Sequence, residues 1–264
     1  MGGRGGSMGG SHGMGGGGGA AKAAPKAPAP QTREQQLLAQ IKGNPAALMQ
    51  MSDQDALDTM QEIAKMPLPS DGTRNNTFLQ RYLEATGLAN EKPTVLDEKT
   101  FETERKKIGA RVLYHSDLPT DGTIASARRT QQQLQTGATA YASCGIHGSG
   151  TYLDVDAANN ASVYGRGGTQ VKLFINKNAR VARIDDRRRA ETQFQSTHPK
   201  TYQYLTGLGG KLGKKRDLEL YTVFLTSAGY NVFSRPGGYK VAYSRKALTI
   251  CSTVRDSSTI TANW

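Results

Sequence analysis

The sequence predicts an α+β fold in which helices come first and mainly antiparallel strands follow. Between residues 31 and 107, apolar residues recur at helical spacing. After Gly109 they fall in short strand-like runs separated by glycine and proline turns. Residues 1–30 follow neither pattern. The predicted parts are a leader, a helical subdomain, a strand-rich domain and a C-terminal tail, at residues 1–30, 31–108, 109–255 and 256–264.

The leader has a composition that cannot build a core. Residues 1–19 are almost wholly glycine, and residues 20–30 alternate alanine, lysine and proline. We expect a flexible tail followed by a stiffer, extended spacer, because neither stretch buries apolar surface. Arg4 is the only arginine in the glycine-rich stretch, so an RNA-binding role of this tail has little electrostatic support.

The net charge and the number of cysteines limit the kinds of partner that we expect for this chain. The chain of 264 residues has a formal net charge of +12, which attracts anionic partners, with nucleic acid bound through a basic surface as the plainest example. Two cysteines, Cys144 and Cys251, are too few for a disulfide framework and lack metal-ligand spacing, so we expect a reducing cytoplasm and no metal. No apolar run is long enough to span a membrane, and we expect no membrane partner.

The helical subdomain is predicted from caps and periodicity. Ser52 precedes an amphipathic stretch that ends at Pro67. Further helices are predicted near residues 78–83 and 97–107. We expect these helices to pack on the domain that follows.

The strand-rich domain alternates the two patterns. Helices are expected at residues 123–135, 156–163 and 218–225. Strands are expected at residues 112–115, 151–154, 171–175, 181–184, 230–233, 239–243 and 248–253.

Three segments of this domain carry candidate chemistry. Residues 112–117 read Val-Leu-Tyr-His-Ser-Asp, a strand that runs out into a histidine and small polar residues. Residues 145–153 contain a Gly-Ser-Gly turn followed by Thr-Tyr-Leu, and lead to a helix that ends at Tyr164. Residues 237–248 contain the run Tyr-Lys-Val-Ala-Tyr.

The order of these segments resembles the ADP-ribosyltransferase superfamily. In that family a first strand ends in Arg or His, a glycine-rich turn leads into a second strand, and a last strand supplies a third catalytic position. Here Leu113-Tyr114-His115 is similar to the first motif, Gly148-Ser149-Gly150-Thr151-Tyr152 to the second, and Tyr239 to Tyr243 to the third. The resemblance covers about residues 111–253 and implies two packed, mainly antiparallel sheets with an NAD cleft between them.

The resemblance also implies residue roles. His115 and Tyr152 would be catalytic. NAD, a substrate in place of a cofactor, would contact Tyr114, Ser116, Gly148, Ser149, Gly150, Tyr164 and Tyr239. The residue types suit this chemistry: an imidazole can fix ribose hydroxyls, glycines let the backbone approach a pyrophosphate, and a tyrosine ring can stack on nicotinamide.

The flanking segments narrow the resemblance. The glycine-rich leader and the stretch at residues 92–101 are similar to those of phage head-associated, or minor capsid, ADP-ribosyltransferase-like proteins. These more often have Leu-Tyr-Arg-Gly where this chain has His115-Ser116. This resemblance implies a mono-ADP-ribosyltransferase that modifies a host protein, located in the phage virion or the host cytoplasm, with capsid or other virion proteins as further partners.

One catalytic element is absent from its family position. Gly238 stands directly before Tyr239, where the family often has the Glu whose charge stabilises an oxocarbenium-like transition state. The alternative function is therefore a catalytically inactive virion structural or DNA-associated protein that retains the fold. Plainer roles also stay open for single residues: a strand-end histidine bonded to backbone at His115, a core aromatic at Tyr152, and a hairpin turn at Gly148.

Overall fold

A computed structural model describes residues 31–67, 77–117, 122–137, 144–145, 148–164, 168–209, 215–235 and 238–257. The predicted leader and residues 258–264 of the predicted tail lie outside these ranges. The described residues from Thr32 onward belong to one compact unit.

The helices and strands of the described residues alternate along the chain. The α-helices are α1 (Arg33–Ile41), α2 (Asp53–Lys65), α3 (Thr77–Ala85), α4 (Glu98–Lys107), α5 (Ile124–Thr136), α6 (Ala157–Tyr164), α7 (Ile184–Thr197), α8 (Pro199–Gly209) and α9 (Lys215–Ser227). The strands are β1 (Thr94–Leu96), β2 (Leu113–Asp117), β3 (Cys144–Gly145), β4 (Gly148–Ser149), β5 (Thr151–Leu153), β6 (Thr169–Ile175), β7 (Val181–Ala182), β8 (Val232–Ser234), β9 (Lys240–Ala242) and β10 (Leu248–Asp256). Short 3-10 helices lie at Pro45–Gln50, Leu88–Asn90 and Arg245–Ala247.

Side-chain caps determine where several helices begin. The Ser52 hydroxyl accepts a hydrogen bond from the backbone N–H of Asp55 at 3.1 Å, which starts α2. Asp97 and Thr123 cap α4 and α5 in the same way. These caps satisfy backbone donors that have no partner inside the helix. The helices predicted between Ser52 and Pro67, at residues 97–107 and at residues 123–135 are confirmed.

Sheet 1 has the strand order β1-β10-β6-β2. Its edge strand β1 runs parallel to β10, with Thr94 opposite Thr249. Strands β6 and β2 are antiparallel, which places His115 opposite Val171. Both edge strands, β1 and β2, therefore come from the first half of the chain, and the two inner strands, β10 and β6, come from the second half.

Sheet 2 has the order β5-β9-β8-β7, and its β7–β8 pair is parallel. The two sheets meet where Tyr114 of β2 and Asp154 exchange backbone hydrogen bonds of 2.8 and 2.9 Å. The predicted α+β class is thus confirmed, with sheets that are mixed because each holds one parallel pair.

Apolar side chains fill the space between the sheets and a second space outside sheet 2. The core between the sheets contains Leu113, Leu153, Leu173, Val232, Leu248 and Ile250. The core outside sheet 2 joins the first helices to α7, α8 and α9 and contains Met60, Tyr82, Phe194, Phe224, Phe233 and Tyr243. The predicted boundary between residues 108 and 109 therefore falls inside a shared core.

Two of the differences from the prediction concern residues 181–184 and strand β1. The strand expected at residues 181–184 ends at Ala182, and Ile184 begins α7, where the Asp186 carboxylate accepts a 2.8 Å hydrogen bond from the Arg183 N–H. In α7 only Ala190 and Phe194 are buried, so its sequence has little helical periodicity to detect. Strand β1 lies in the part of the chain predicted to be helical. It was not predicted because a three-residue strand forms only by pairing with a distant partner, here β10.

No helix among the described residues combines the length and the apolar character that crossing a membrane requires.

Candidate functional site around His115 and Tyr152

The three strands that carry the candidate motifs are neighbours. Strand β2 contacts the end of β5 through the bridge between Tyr114 and Asp154. Strand β5 pairs antiparallel with β9, with Tyr152 opposite Val241. Segments that are far apart in the sequence are thereby brought side by side.

His115 connects the first two motifs. Its Nδ1 lies 2.8 Å from the main-chain oxygen of Tyr152, and its Nε2 lies 3.3 Å from Oδ2 of Asp117. The side chain is 16% exposed. Because a carbonyl oxygen only accepts, Nδ1 carries the proton of this hydrogen bond and Nε2 faces the carboxylate. The imidazole thus holds β2 against β5 and keeps one nitrogen beside a negative charge.

The surroundings of His115 raise its pKa. Burial lowers the pKa, but the charge and hydrogen bonding of Asp117 and the Tyr152 carbonyl outweigh it, while the cationic Arg245 opposes them. Arg245 lies in a 3-10 helix and is 1% exposed. The site therefore contains a carboxylate and a buried guanidinium close to the imidazole.

Asp117 and Arg245 were not among the predicted site residues. A sequence signal existed for Asp117, since residues two apart on a strand share a face, and Asp117 follows His115 by two. Arg245 carried no such signal, because nothing in a Ser-Arg-Lys turn distinguishes a buried arginine from an exposed one.

The ring of Tyr152 points away from His115. Leu153 lies in the core between the sheets, so alternation turns Tyr152 to the other face of β5. There its ring packs on the core outside sheet 2 and lies 5.5 Å from the ring of Tyr239, centroid to centroid. The structure joins the imidazole to the main chain of Tyr152 and pairs the two tyrosine rings on the opposite face.

Tyr114 and Ser116 also face away from His115, on the outer side of sheet 1. Ser116 is buried, and its hydroxyl donates a 2.6 Å hydrogen bond to Asn160 of α6 and accepts one of 3.2 Å from Gln170. Tyr114 lines a separate cavity. The structure therefore does not bring these two predicted NAD contacts together with the imidazole, because neighbouring residues of a strand project to opposite faces.

The cavity beside Tyr114 has a volume of about 100 Å³ and is also lined by Glu98, Gln170, Lys172 and Arg255. Its lysine ammonium lies 2.5 Å from the Glu98 carboxylate, and the arginine lies 3.8 Å from the same carboxylate. Because the positive groups already face a carboxylate, this cavity is not an evident anion site.

The glycine-rich motif takes part in an antiparallel strand pair and in a close strand contact. Gly145 lies opposite Gly148, and Cys144 opposite Ser149, in the β3–β4 pair. A Cβ at Gly150 would lie 2.5 Å from the carbonyl oxygen of Ala242. Gly150 therefore allows β5 to approach β9. The hairpin interpretation agrees with this pairing.

The remaining predicted residues lie at the ends of elements. Tyr164 is the last residue of α6, and Gly238 directly precedes Tyr239. The nearest atoms to a Cβ at Gly238 would belong to the Arg235 side chain, at 3.4 Å or more, which is ordinary contact. The carboxylate that contacts His115 is Asp117 on β2, while the third motif has none at position 238.

Within the described ranges, no three His, Cys, Asp or Glu side chains are grouped so as to bind a metal ion. Comparison with known proteins gives no match, either to a protein-family model, to a curated protein or to a solved structure.

Proposed function

We propose that this chain binds NAD and is a mono-ADP-ribosyltransferase that modifies a macromolecule, in our interpretation a protein of the host of a phage. The supporting observation is that β2, β5 and β9, which carry the three motifs, lie next to one another, although the motifs are far apart in the sequence.

In this proposal His115 holds the hydroxyls of the ribose next to nicotinamide. Tyr152 fixes the imidazole through its main-chain oxygen, at 2.8 Å. A fixed donor helps because bending NAD so that the nicotinamide–ribose bond is exposed depends on orientation. The tyrosine pair, Tyr152 and Tyr239, supplies a partly buried aromatic surface on the other side of β5.

The direct test follows label from the ADP-ribose part of NAD into proteins of a bacterial lysate. We expect wild type to transfer label and His115→Gln to lose roughly 100-fold in rate, because misplacing a reacting group costs about that much. His198→Gln is the matched control. His198 is also buried, but it contacts Met51 and Thr197 and none of the motif strands, so its rate should stay near that of wild type.

Absence of label transfer and of NAD hydrolysis, together with no NAD-dependent rise in melting temperature, would remove the enzyme function. The net charge of +12 then favours a DNA-associated virion protein. That alternative predicts DNA binding whose affinity falls steeply with ionic strength.

A further inference from the structure

A row of three polar side chains crosses one end of sheet 1. In the pairing of β2, β6 and β10, Asp117 and Asp256 both lie opposite Thr169. Side chains directly opposite each other on neighbouring strands share a face. This is the face that carries Leu113 and Leu173 into the core between the sheets, and it also carries His115.

The two carboxylates of the row differ in their partners. Asp256 accepts a 2.9 Å hydrogen bond from the Arg128 guanidinium. Among the described residues, Oδ2 of Asp117 is buried and makes no hydrogen bond of good geometry, and the His115 ring lies 3.3 Å from it. Asp117 therefore retains acceptor capacity that Asp256 has already used.

Thr169 gives an independent indication of a ligand. Its side chain is 0% exposed, and within the described part of the chain its hydroxyl has no hydrogen-bond partner. Buried hydroxyls are nearly always hydrogen-bonded in native proteins. Thr169 lies between two carboxylates, so a polar group bound beside Asp117 would also reach an unused hydroxyl.

An acceptor carboxylate next to a hydroxyl and an imidazole suits a vicinal diol. Each hydroxyl of a diol can donate to the carboxylate and accept from the neighbouring group, and carboxylates bind ribose hydroxyls in other dinucleotide sites. The Asp117 side chain is 20% exposed, so part of it reaches the surface although its Oδ2 is buried.

We propose that Asp117 binds the hydroxyls of the nicotinamide ribose and supplies, from the first motif strand, the carboxylate that Gly238 does not supply from the third. This inference rests on the proposed NAD-binding function and assigns its ribose contact. The bound diol contacts the Asp117 carboxylate beside the His115 ring, on the face of the sheet that also carries Thr169.

The experiment measures binding by calorimetry with two ligands, NAD and an NAD analogue whose nicotinamide ribose lacks both hydroxyls. For wild type we expect the analogue to bind roughly 10- to 100-fold more weakly, the range for hydrogen bonds to a charged group. Asp117→Asn should bind NAD more weakly by a similar factor and should discriminate less between the two ligands. Asp256→Asn is the matched control and should behave as wild type.

The outcomes separate this inference from the function on which it rests. If wild type binds neither ligand, the NAD function fails and the ribose contact fails with it. If wild type binds NAD but Asp117→Asn keeps full affinity and discrimination, the ribose contact is overturned and the function stands. Circular dichroism checks folding. Should Asp117→Asn unfold, Asp117→Glu replaces it: the displaced carboxylate is expected to lower affinity about 10-fold, and unchanged affinity overturns the inference.

Discussion

At the scale of single residues, His115 combines a structural and an electrostatic role. It joins two strands through the Tyr152 carbonyl, and Asp117 beside it favours its protonated form. A sequence can indicate that a histidine ends a strand. It cannot show that the neighbouring ring, Tyr152, turns to the other face, since this depends on which face of β5 the helices cover.

We predict that His115 makes stability depend on pH. Its pKa in the folded protein lies above the ordinary value, since burial lowers it but Asp117 and the Tyr152 carbonyl together raise it by more. The folded state then holds more protons than the unfolded state between the two pKa values. The stabilisation is complete below about pH 6.5, the unfolded value, and is lost as pH rises through the folded value.

Urea unfolding at a series of pH values, with an NMR titration of the ring, tests this prediction. His115→Gln should remove this part of the decline in the free energy of unfolding, and Asp117→Asn should reduce it. A wild-type curve with the same slope as His115→Gln would contradict the prediction.

The pairing of β5 with β9 explains the glycine at position 150, which allows the two strands to approach closely. Gly150→Ala should lower the free energy of unfolding by about 1–3 kcal/mol, because the new methyl would lie 2.5 Å from the Ala242 carbonyl and 2.8 Å from a Val241 methyl. Gly207→Ala changes an exposed position of helix α8, where an added Cβ would have no neighbouring atom within 4 Å. It should instead stabilise the protein by up to about 1 kcal/mol. Urea denaturation of both variants checks the opposite signs.

At the scale of helices and strands, the sequence predicted those helices that begin at a local capping residue. Ser52, Asp97 and Thr123 each precede a helix that begins at the following residue. Helices α7 and α8 escaped prediction because their stability comes from contacts with distant elements. One such contact is the Asp53 carboxylate, which accepts hydrogen bonds from the backbone N–H groups of Lys200 and Thr201, at 3.0 and 3.1 Å.

Asp53→Ala should therefore destabilise the protein by about 1–2 kcal/mol near neutral pH, the usual cost of losing a helix cap. Burial raises the pKa of Asp53, but the hydrogen bonds from Lys200 and Thr201 outweigh it and leave the pKa lowered. The stabilisation by the Asp53 carboxylate is present above its pKa in the unfolded chain, about 3.9. It is lost as pH falls through its lower pKa in the folded protein.

Chemical denaturation of wild type and Asp53→Ala at pH 7 and in acid measures this difference, which should shrink in acid. Lys200→Ala is the control. Only the main-chain N–H of Lys200 takes part, and its side chain is exposed, so the change should stay within about 0.5 kcal/mol. Equal losses in both variants would show that the carboxylate is not a cap.

At the scale of the whole molecule, the sequence predicted the α+β class, and the structure adds which distant elements share a core. Periodicity changes after Gly109, which suggested a boundary between two domains. Met60 and Tyr82 nevertheless share a core with Phe224 and Tyr243. A pattern along the chain reports which face of an element is apolar and does not report which distant element covers it.

We predict that residues 109–257 do not fold alone, since that fragment lacks β1 and the helices that complete the shared core. Residues 31–257 should unfold in a single cooperative transition in urea, observed by far-ultraviolet circular dichroism. A shorter fragment that unfolds cooperatively at the same midpoint would contradict a shared core.

The place of β10 in sheet 1 has a consequence for synthesis on the ribosome. Strand β10 lies between β1 and β6, so the middle of the sheet is translated after both of its neighbours. Thr94 of β1 can pair with Thr249 only after β10 has been synthesised. Until then, β1 and β6 expose unpaired edges to other chains or to chaperones. A polypeptide truncated before β10 would therefore be unable to complete sheet 1, even though it contains most of the sequence.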